Sequence, residues 1–309
     1  MGTVVKRKVK IKKKNLTIFL VFIMFLSFSI YEIGYVIYKV VTTSSKPVEV
    51  EKKEKKKVTT IKKKTNEDAD LKELDNIDQK ITYFRNENID RYLAYKRENP
   101  SLSTIQVIKN VNMNLDLTPY EDTIKAINLN TNAILVNKYY YLDEDYVPDN
   151  LEKISSRYAL SGMKLVSEAK DAFEDMARDA SKEDLTIVAM STYRSYSYQV
   201  NLYNRYKRAD GIEKADSYSG RPGHSEHQTG LAVDVYNADE DYTNFENTDE
   251  FKWMKKHAHE YGFILRFPKS KEHETGYIYE SWHYRYVGKE IAKYIKENNI
   301  TLEEYIATH

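Results

Sequence analysis

The sequence predicts an α+β domain, with a small mixed and mainly antiparallel sheet flanked by helices, behind an N-terminal transmembrane helix. Three observations lead to this prediction. Beyond residue 98, stretches with helical apolar spacing are mixed with short apolar runs that have the length of strands. One long apolar stretch lies near the N-terminus, and a lysine-rich segment separates it from the remainder.

The composition excludes several kinds of site. The 309 residues include no cysteine, which rules out disulfides, thiolate metal ligands and a cysteine nucleophile. Any metal must therefore be bound by His, Asp or Glu. The net charge of +1 conceals an asymmetry, because residues 1–64 have a net charge of +13 and residues 65–309 one of −12. This acidic sign disfavours nucleic-acid binding by the folded part.

The N-terminus has the pattern of a membrane anchor. Residues 4–14 carry seven basic side chains, and residues 16–38 follow with Glu32 as their only charge. A helix of that length spans about 35 Å, enough to cross a bilayer core. We expect residues 1–15 to be a cytoplasmic basic tail and residues 16–38 a single-pass anchor in the cell membrane, with the folded domain extracytoplasmic. A cleaved signal peptide is the alternative, disfavoured because no Ala-x-Ala site follows.

Two segments separate the anchor from the domain. Residues 39–69 are expected to form a charged linker, since runs of like charge with few apolar residues do not support a packed fold. Residues 70–98 are expected to form a helical neck, because apolar side chains recur there at steps of three and four up to Asn99-Pro100. Residues 99–309 are then the folded domain.

Within that domain the expected elements are short. The apolar runs predict strands at residues 132–137, 185–190, 231–235, 263–267 and 282–287. Helical spacing predicts helices at residues 156–178, 199–206, 248–261 and 289–298. No internal repeat is evident.

Two segments contain the parts of a metal site. Residues 223–234 place His227 on a loop and Asp234 on the strand after it, and residues 280–283 place Glu280 and His283 at the start of another strand. Ligands on two adjacent strands can converge on one cation, and two histidines with an aspartate are typical of zinc and possible for other divalent ions. A lone histidine is more often structural. An aspartate within an apolar strand is costly to bury unless it is paired or metal-bound.

These segments resemble the VanY-like D-alanyl-D-alanine carboxypeptidases, zinc peptidases related to the L,D-carboxypeptidases. Residues 225–234, Ser-Glu-His-Gln-Thr-Gly-Leu-Ala-Val-Asp, match the family signature Ser-x-His-x-x-Gly-x-Ala-x-Asp. Residues 280–285 resemble its Glu-x-x-His segment, and residues 191–195 its arginine-bearing segment. The likeness covers residues 99–298 and implies a small α+β fold.

The resemblance also implies roles for particular residues. One zinc ion per chain would be bound by His227, Asp234 and His283. Glu280 would be the catalytic base, and Arg194 would bind substrate or stabilise the developing oxyanion.

Other residues have less certain assignments. Gln199 and Ser225 match positions that line the substrate pocket, although a solvent-facing helix position and a turn position explain them equally well. Arg266 matches a recurrent arginine that is either structural or meets a substrate carboxylate. His224 is interpreted either as a pocket residue or as a residue that contacts the ligands. His257 and His259, two apart on a helix, are expected to point to different sides, and His273 and His309 are expected at the surface.

The implied function is that of a membrane-anchored zinc D,D-carboxypeptidase, a hydrolase that removes the C-terminal D-alanine from peptidoglycan stem peptides. An L,D-carboxypeptidase acting on tetrapeptide stems is an alternative with the same Ser-Glu-His-Gln-Thr-Gly run. A non-catalytic wall-binding domain is a third possibility, disfavoured because the ligands, the base and the arginine are all present. The oligomeric state is unknown from the sequence.

Overall fold

Eight strands form three sheets in the part of the chain that the computed structural model describes, which is Leu74, residues 80–239 and residues 241–309. They are β1 (Ile124–Lys125), β2 (Tyr140–Tyr141), β3 (Leu151–Lys153), β4 (Lys164–Val166), β5 (Val188–Ser191), β6 (Ala232–Tyr236), β7 (Phe263–Leu265) and β8 (His283–Tyr286). The main sheet has the order β5-β6-β8-β7 with antiparallel pairs throughout. β3 pairs with β4 antiparallel, and β1 with β2 parallel. The predicted α+β class with a mainly antiparallel sheet is confirmed.

Helices flank these sheets. In the described part they are α1 (Ile89–Glu98), α2 (Thr104–Asn112), α3 (Ser167–Ala180), α4 (Tyr196–Asp210), α5 (Ile212–Tyr218), α6 (Asp249–His257), α7 (Glu272–Thr275), α8 (Lys289–Asn298) and α9 (Leu302–Thr308). Side-chain caps set several of their starts. The hydroxyl of Ser195 accepts from the amide of Tyr198 at 3.2 Å, which begins α4 directly after the Arg194 segment.

Strand alternation gives the main sheet one apolar face and one polar face. Val233 and Tyr284, paired across β6 and β8, are fully buried in the apolar core, where Phe173 of α3 packs against the sheet. Their sequence neighbours Asp234 and His283 are also paired, and they point to the opposite face. The period of two therefore places two of the expected ligands side by side.

The N-terminal and C-terminal helices of the described part pack together. The side-chain Nδ2 of Asn112, at the end of α2, donates to the backbone oxygens of Tyr83 (2.9 Å) and Ala307 (3.1 Å). Lys109 and Glu304 form an ion pair of 2.7 Å between α2 and α9. The helix α2 is thus held against the C-terminal helix α9.

Three expected elements differ from the structure. Residues 132–137 form no strand, because the Arg285 side chain, rather than a neighbouring strand, binds the backbone oxygens of Asn132 and Ile134. The helix expected from residue 156 begins at Ser167, since residues 164–166 pair with β3. In the expected neck helix, residues 80–85 are not helical, and the apolar side chain of Phe84 packs on Tyr92 from an irregular segment.

The remaining expected strands and helices are found, with ends shifted by a few residues and with α4 longer than expected. Within the described residues, no helix is both long enough and apolar enough to span a membrane. The expected tail, anchor and linker at residues 1–69 lie outside the described residues. Those expectations, and the boundary at residue 98, stay predictions.

Candidate metal centre

The three expected metal ligands lie together on the polar face of the main sheet. Asp234 of β6 is the pairing partner of His283 of β8, and His227 lies in the 3₁₀ helix Glu226–Thr229 that leads into β6. One ligand atom from each of the three residues lies within 4.8 Å of the others. All three residues are buried, with exposed fractions of 3 to 5%.

Hydrogen bonds select the nitrogen that each histidine presents. The Nδ1 of His227 lies 2.7 Å from the backbone oxygen of Thr192, which can only accept, so this nitrogen carries the proton. Its Nε2 then faces Asp234 Oδ2 at 3.3 Å. His283 faces the other oxygen of Asp234 with Nδ1, at 2.8 Å. Nε2 of His227 and Nδ1 of His283 therefore converge beside one carboxylate.

The loop that carries His227 has little freedom. Gly223 before it and Gly230 after it both have a positive φ, at +83° and +69°. A β-carbon at Gly223 would lie 2.8 Å from the backbone oxygen of Leu142, so a larger residue would have to displace the chain. The backbone of His227 itself accepts a hydrogen bond from the Arg194 amide at 3.1 Å.

This donor set fits zinc. Burial favours the neutral form of a carboxyl, yet the electrostatic interactions with His227 and Arg194 outweigh it and hold the pKa of Asp234 well below its usual range. Burial lowers the pKa of His227, which favours the neutral imidazole that a metal requires. Burial acts in the same direction on His283, but hydrogen bonding to Asp234 and Glu226 outweighs it and raises the pKa of His283 to about 9, so a metal must displace a proton from this ring. Two imidazoles and one carboxylate leave a further coordination position free, the arrangement of catalytic zinc sites.

Glu280, the expected base, lines the same cavity as the three ligands. Its backbone amide donates to Phe267 at 3.1 Å, and its backbone oxygen accepts from the His283 amide at 3.4 Å, which fixes its position relative to one ligand. The side chain is buried, and this burial raises the pKa of Glu280 to about 8. A carboxyl with that pKa readily takes up and releases a proton near neutral pH.

Arg194 also lines this cavity, at the end of β5. Its Nη2 donates to Asp234 Oδ2 at 2.6 Å, and its Nε and Nη2 both bind the hydroxyl of Ser191, at 3.0 and 2.7 Å. The guanidinium is thus oriented by a ligand carboxylate and keeps 19% of its side chain exposed. Its expected contact with substrate stays a prediction.

The two expected pocket residues occupy different places. Ser225 lines the cavity. Gln199 is 1% exposed and lies behind the wall, where its Nε2 donates to the backbone oxygen of Gly220 at 2.7 Å. Because Gly220 lines the cavity, Gln199 can act on its shape, and direct contact of Gln199 with substrate stays a prediction.

The cavity has a volume of about 400 Å³ and includes side chains that the sequence analysis did not single out. Many of them are aromatic: Tyr198, Tyr206, Tyr218, Tyr242, Tyr277 and Trp282. His224 also lines it, with Nδ1 held 2.8 Å from the Asn137 backbone oxygen. Tyr198 and Tyr242 are 57% and 40% exposed, so the cavity opens to solvent between aromatic rings.

Sequence reasoning also missed a buried charged cluster beside the ligands. Glu226, directly before His227, accepts from Arg266 (2.8 Å) and Arg285 (2.7 Å). Burial opposes ionisation, but these two charges hold the pKa of Glu226 below its usual range. Arg266 is 1% exposed and bound to protein carboxylates, which favours a structural role over contact with a substrate carboxylate. A charged side chain between Ser225 and His227 was the available signal.

Known proteins match both the sequence and the fold. The family model VanY, D-alanyl-D-alanine carboxypeptidase, matches residues 162–289. The chain is 42% identical over 184 residues to the putative carboxypeptidase YodJ of Bacillus subtilis (strain 168), covering 55% of this chain and 65% of that protein. It is 32% identical over 177 residues to the bifunctional D-Ala-D-Ala dipeptidase and D-Ala-D-Ala carboxypeptidase VanXYC of Enterococcus gallinarum, covering 55% of this chain and 91% of that protein.

The matches to the first three curated relatives span 57 to 65% of their lengths, which is less than two thirds. Among solved structures, the LdcB LD-carboxypeptidase has a TM-score of 0.57 and 38% identity, covering 62% of this chain and 94% of that one. A variant of the vancomycin resistance D,D-pentapeptidase VanY in complex with Zn(II) has a TM-score of 0.50 and 29% identity, covering 57% and 98%.

Proposed function

Because this chain belongs to the VanY family of D-alanyl-D-alanine carboxypeptidases, we propose that it is a zinc carboxypeptidase that removes the C-terminal D-alanine from peptidoglycan stem peptides. The observation that carries the proposal is the convergence of the ligand set with Glu280 and Arg194 in one cavity. A cavity of about 400 Å³ is large enough for a short peptide end.

The residues of the site divide the chemistry between them. His227, Asp234 and His283 would hold zinc, whose contribution when bound is Lewis-acid polarisation of the scissile carbonyl. Glu280 takes a proton from the attacking water and returns it to the leaving amine. Its burial disfavours the charged form of the carboxyl, which suits a group that must be a base first and an acid afterwards. Arg194 presents a fixed positive charge to the developing oxyanion or to the substrate carboxylate.

Two specificities are possible for the bond that is cleaved, D,D and L,D. The D,D assignment is supported by the family description and by the relative VanXYC, named for its activity on D-Ala-D-Ala. The L,D alternative is supported by the likeness to LdcB, which has the higher TM-score and identity of the two solved structures compared above. We favour the D,D assignment, with stem pentapeptides as substrates and the tetrapeptide as the alternative.

We further propose that the enzyme works outside the cell, anchored in the membrane by residues 16–38. The support is the sequence pattern of a basic tail, a 23-residue apolar stretch and a charged linker. Separating membrane and soluble fractions of the producing cells, and treating intact cells with protease, would test the anchor and its orientation. Recovery of the chain in the soluble fraction would contradict the anchor.

The catalytic proposal is tested with Glu280→Gln in the full-length chain. We expect turnover to fall by about 10²- to 10⁴-fold because the proton acceptor is lost. Zinc content, measured by atomic absorption, should stay at one ion per chain, because Glu280 is not a ligand. Glu272→Gln, at an exposed position of α7, is the matched control and should keep full activity.

The substrate is identified by incubating the enzyme with purified pentapeptide and tetrapeptide stems and weighing the products by mass spectrometry. Release of D-alanine from the pentapeptide supports the D,D assignment, and release from the tetrapeptide alone supports the L,D alternative. A wild-type chain that binds no divalent ion and cleaves neither peptide would contradict the enzymatic function and favour a wall-binding domain.

A further inference from the structure

A buried carboxylate beside the ligands has no part in the chemistry above. Both arginine donors of Glu226 converge on the same oxygen, Oε1, with Arg266 Nε at 2.8 Å and Arg285 Nη1 at 2.7 Å. Glu226 is 5% exposed, and the two arginines are at most 1% exposed. Keeping such a group charged without water requires these partners, and they leave the second oxygen, Oε2, to face another group.

That group is the ring of His283. Oε2 of Glu226 lies 3.5 Å from Nε2 of His283. Both atoms are buried, and among the described residues neither has a hydrogen-bond partner, so the two face each other at ion-pair distance. The opposite nitrogen, Nδ1, faces Asp234 at 2.8 Å. A carboxylate at Nε2 favours a proton on that nitrogen, so that a metal which displaces the Nδ1 proton would find the Nδ1 lone pair, as in carboxylate–histidine–metal arrangements.

The plane of the same ring is fixed by a third contact. The ring of Phe267 stacks on His283 with centroids 4.9 Å apart and an angle of 7° between the planes. Stacking permits rotation within the plane, whereas a partner at each nitrogen prevents it. Glu226 therefore restricts the in-plane rotation of the His283 ring that Phe267 and Asp234 would still permit.

The position of Glu226 depends in turn on the C-terminal helix. Glu303 of α9 accepts two hydrogen bonds from Arg266, at 2.6 and 2.8 Å, in the bidentate geometry of strong ion pairs. Glu303 is 1% exposed and also accepts from the Asn137 amide at 3.2 Å. Two arginines and two carboxylates thus balance in charge. Residue 303 lies beyond residues 162–289, the part that matches the family model.

We propose that Glu226 is a positioning residue: its contact with Nε2 of His283 orients the ring so that Nδ1 can bind the metal. Glu303 of the C-terminal helix holds Glu226 in place through Arg266. The inference rests on the proposed zinc centre. It gives α9 a role in the site although that helix does not reach the cavity.

The test uses the full-length chain with Glu226→Gln, Glu303→Gln and the control Glu304→Gln. Glu304 is on the same helix, and its ion pair is with Lys109, away from the site. Zinc affinity is measured by competition with a chelator. We expect the dissociation constant to rise about 10- to 100-fold for Glu226→Gln, less for Glu303→Gln, and not for Glu304→Gln.

A second readout separates positioning from loss of folding. The chain has seven histidines, so ring ¹⁵N NMR of histidine-labelled, zinc-loaded protein yields few signals, and His283→Ala identifies the one in question. We expect Nε2 of His283 to be protonated in the wild type, and its proton to exchange faster in Glu226→Gln.

The outcomes distinguish the positioning role of Glu226 from the metal centre itself. Wild-type affinity and an unchanged His283 signal in Glu226→Gln would overturn the positioning role while leaving the zinc centre intact. If Glu226→Gln does not fold, Glu303→Gln decides, and an affinity equal to that of Glu304→Gln overturns the role. If His283→Ala binds zinc as tightly as the wild type, the proposed metal centre itself is wrong.

Discussion

Gly230 ends the 3₁₀ helix that carries His227, and its replacement by alanine has a cost that follows from the structure. The residue has φ of +69°, a conformation that costs an L-residue about 1–2 kcal/mol. The added β-carbon would lie 2.9 Å from Leu151 Cδ2, 3.1 Å from Val166 Cγ1 and 3.2 Å from Pro148 Cγ. Insertion of a methyl group into such a packed site costs about 1–3 kcal/mol more.

Gly230→Ala should therefore lower the free energy of unfolding by about 2–5 kcal/mol, a large part of the stability of an ordinary domain. The measurement is urea unfolding of the full-length chain followed by circular dichroism, with an unchanged m-value. Gly162→Ala is the matched control, because Gly162 has φ of +86° and no atom within 4 Å of the added β-carbon. Equal losses in the two variants would refute the packing part of the reasoning.

Two further predictions concern polar groups away from the cavity wall. Tyr284→Phe should leave the stability unchanged or raise it by up to about 1 kcal/mol, since the buried hydroxyl of Tyr284 has no hydrogen-bond partner among the described residues. Tyr286→Phe should lower the stability by about 0.5–1.5 kcal/mol, because it removes the 2.6 Å hydrogen bond to Glu168. Thermal unfolding of both variants tests the difference, and equal effects would contradict it. Burial acts to raise the pKa of Asp216, but hydrogen bonding from Arg221 outweighs this and holds the pKa below its ordinary value. The stabilisation from this carboxylate is present above about pH 4 and is lost as the pH falls through the lowered pKa. The unfolding free energies of the wild type and Asp216→Asn should therefore converge on acidification. A difference that stays constant with pH would show that the charge of Asp216 does not cause the stabilisation.

The ligand set could be predicted from the sequence because each part of it lies in a short, strongly patterned segment. Asp234 is the polar residue of an apolar strand, and His283 begins another. Strand alternation alone determines that a polar residue and its neighbour face opposite sides of a sheet. What remained was to pair the two strands in register, and the structure pairs Asp234 with His283 directly.

The incorrect secondary-structure predictions have a common cause, which is contact between segments that are distant in the sequence. Residues 132–137 have the composition of a strand, but the side chain of Arg285, about 150 positions later in the chain, takes the backbone oxygens that a neighbouring strand would bind. Residues 164–166 continue a helical apolar pattern, yet they pair with β3. Local propensity is a weak preference that such tertiary contacts override.

The sequence by itself therefore determined the fold class and the family, and it predicted the zinc ligands and the base, because these depend on local pattern and on residue type. Only the tertiary structure decided which nitrogen each histidine presents, and it alone revealed the ion-paired cluster of Glu226, Arg266, Arg285 and Glu303 behind the site. Buried charges are stable only when their partners are placed within hydrogen-bonding distance. Those partners come from four separate segments, and nothing in their spacing along the chain specifies that they meet.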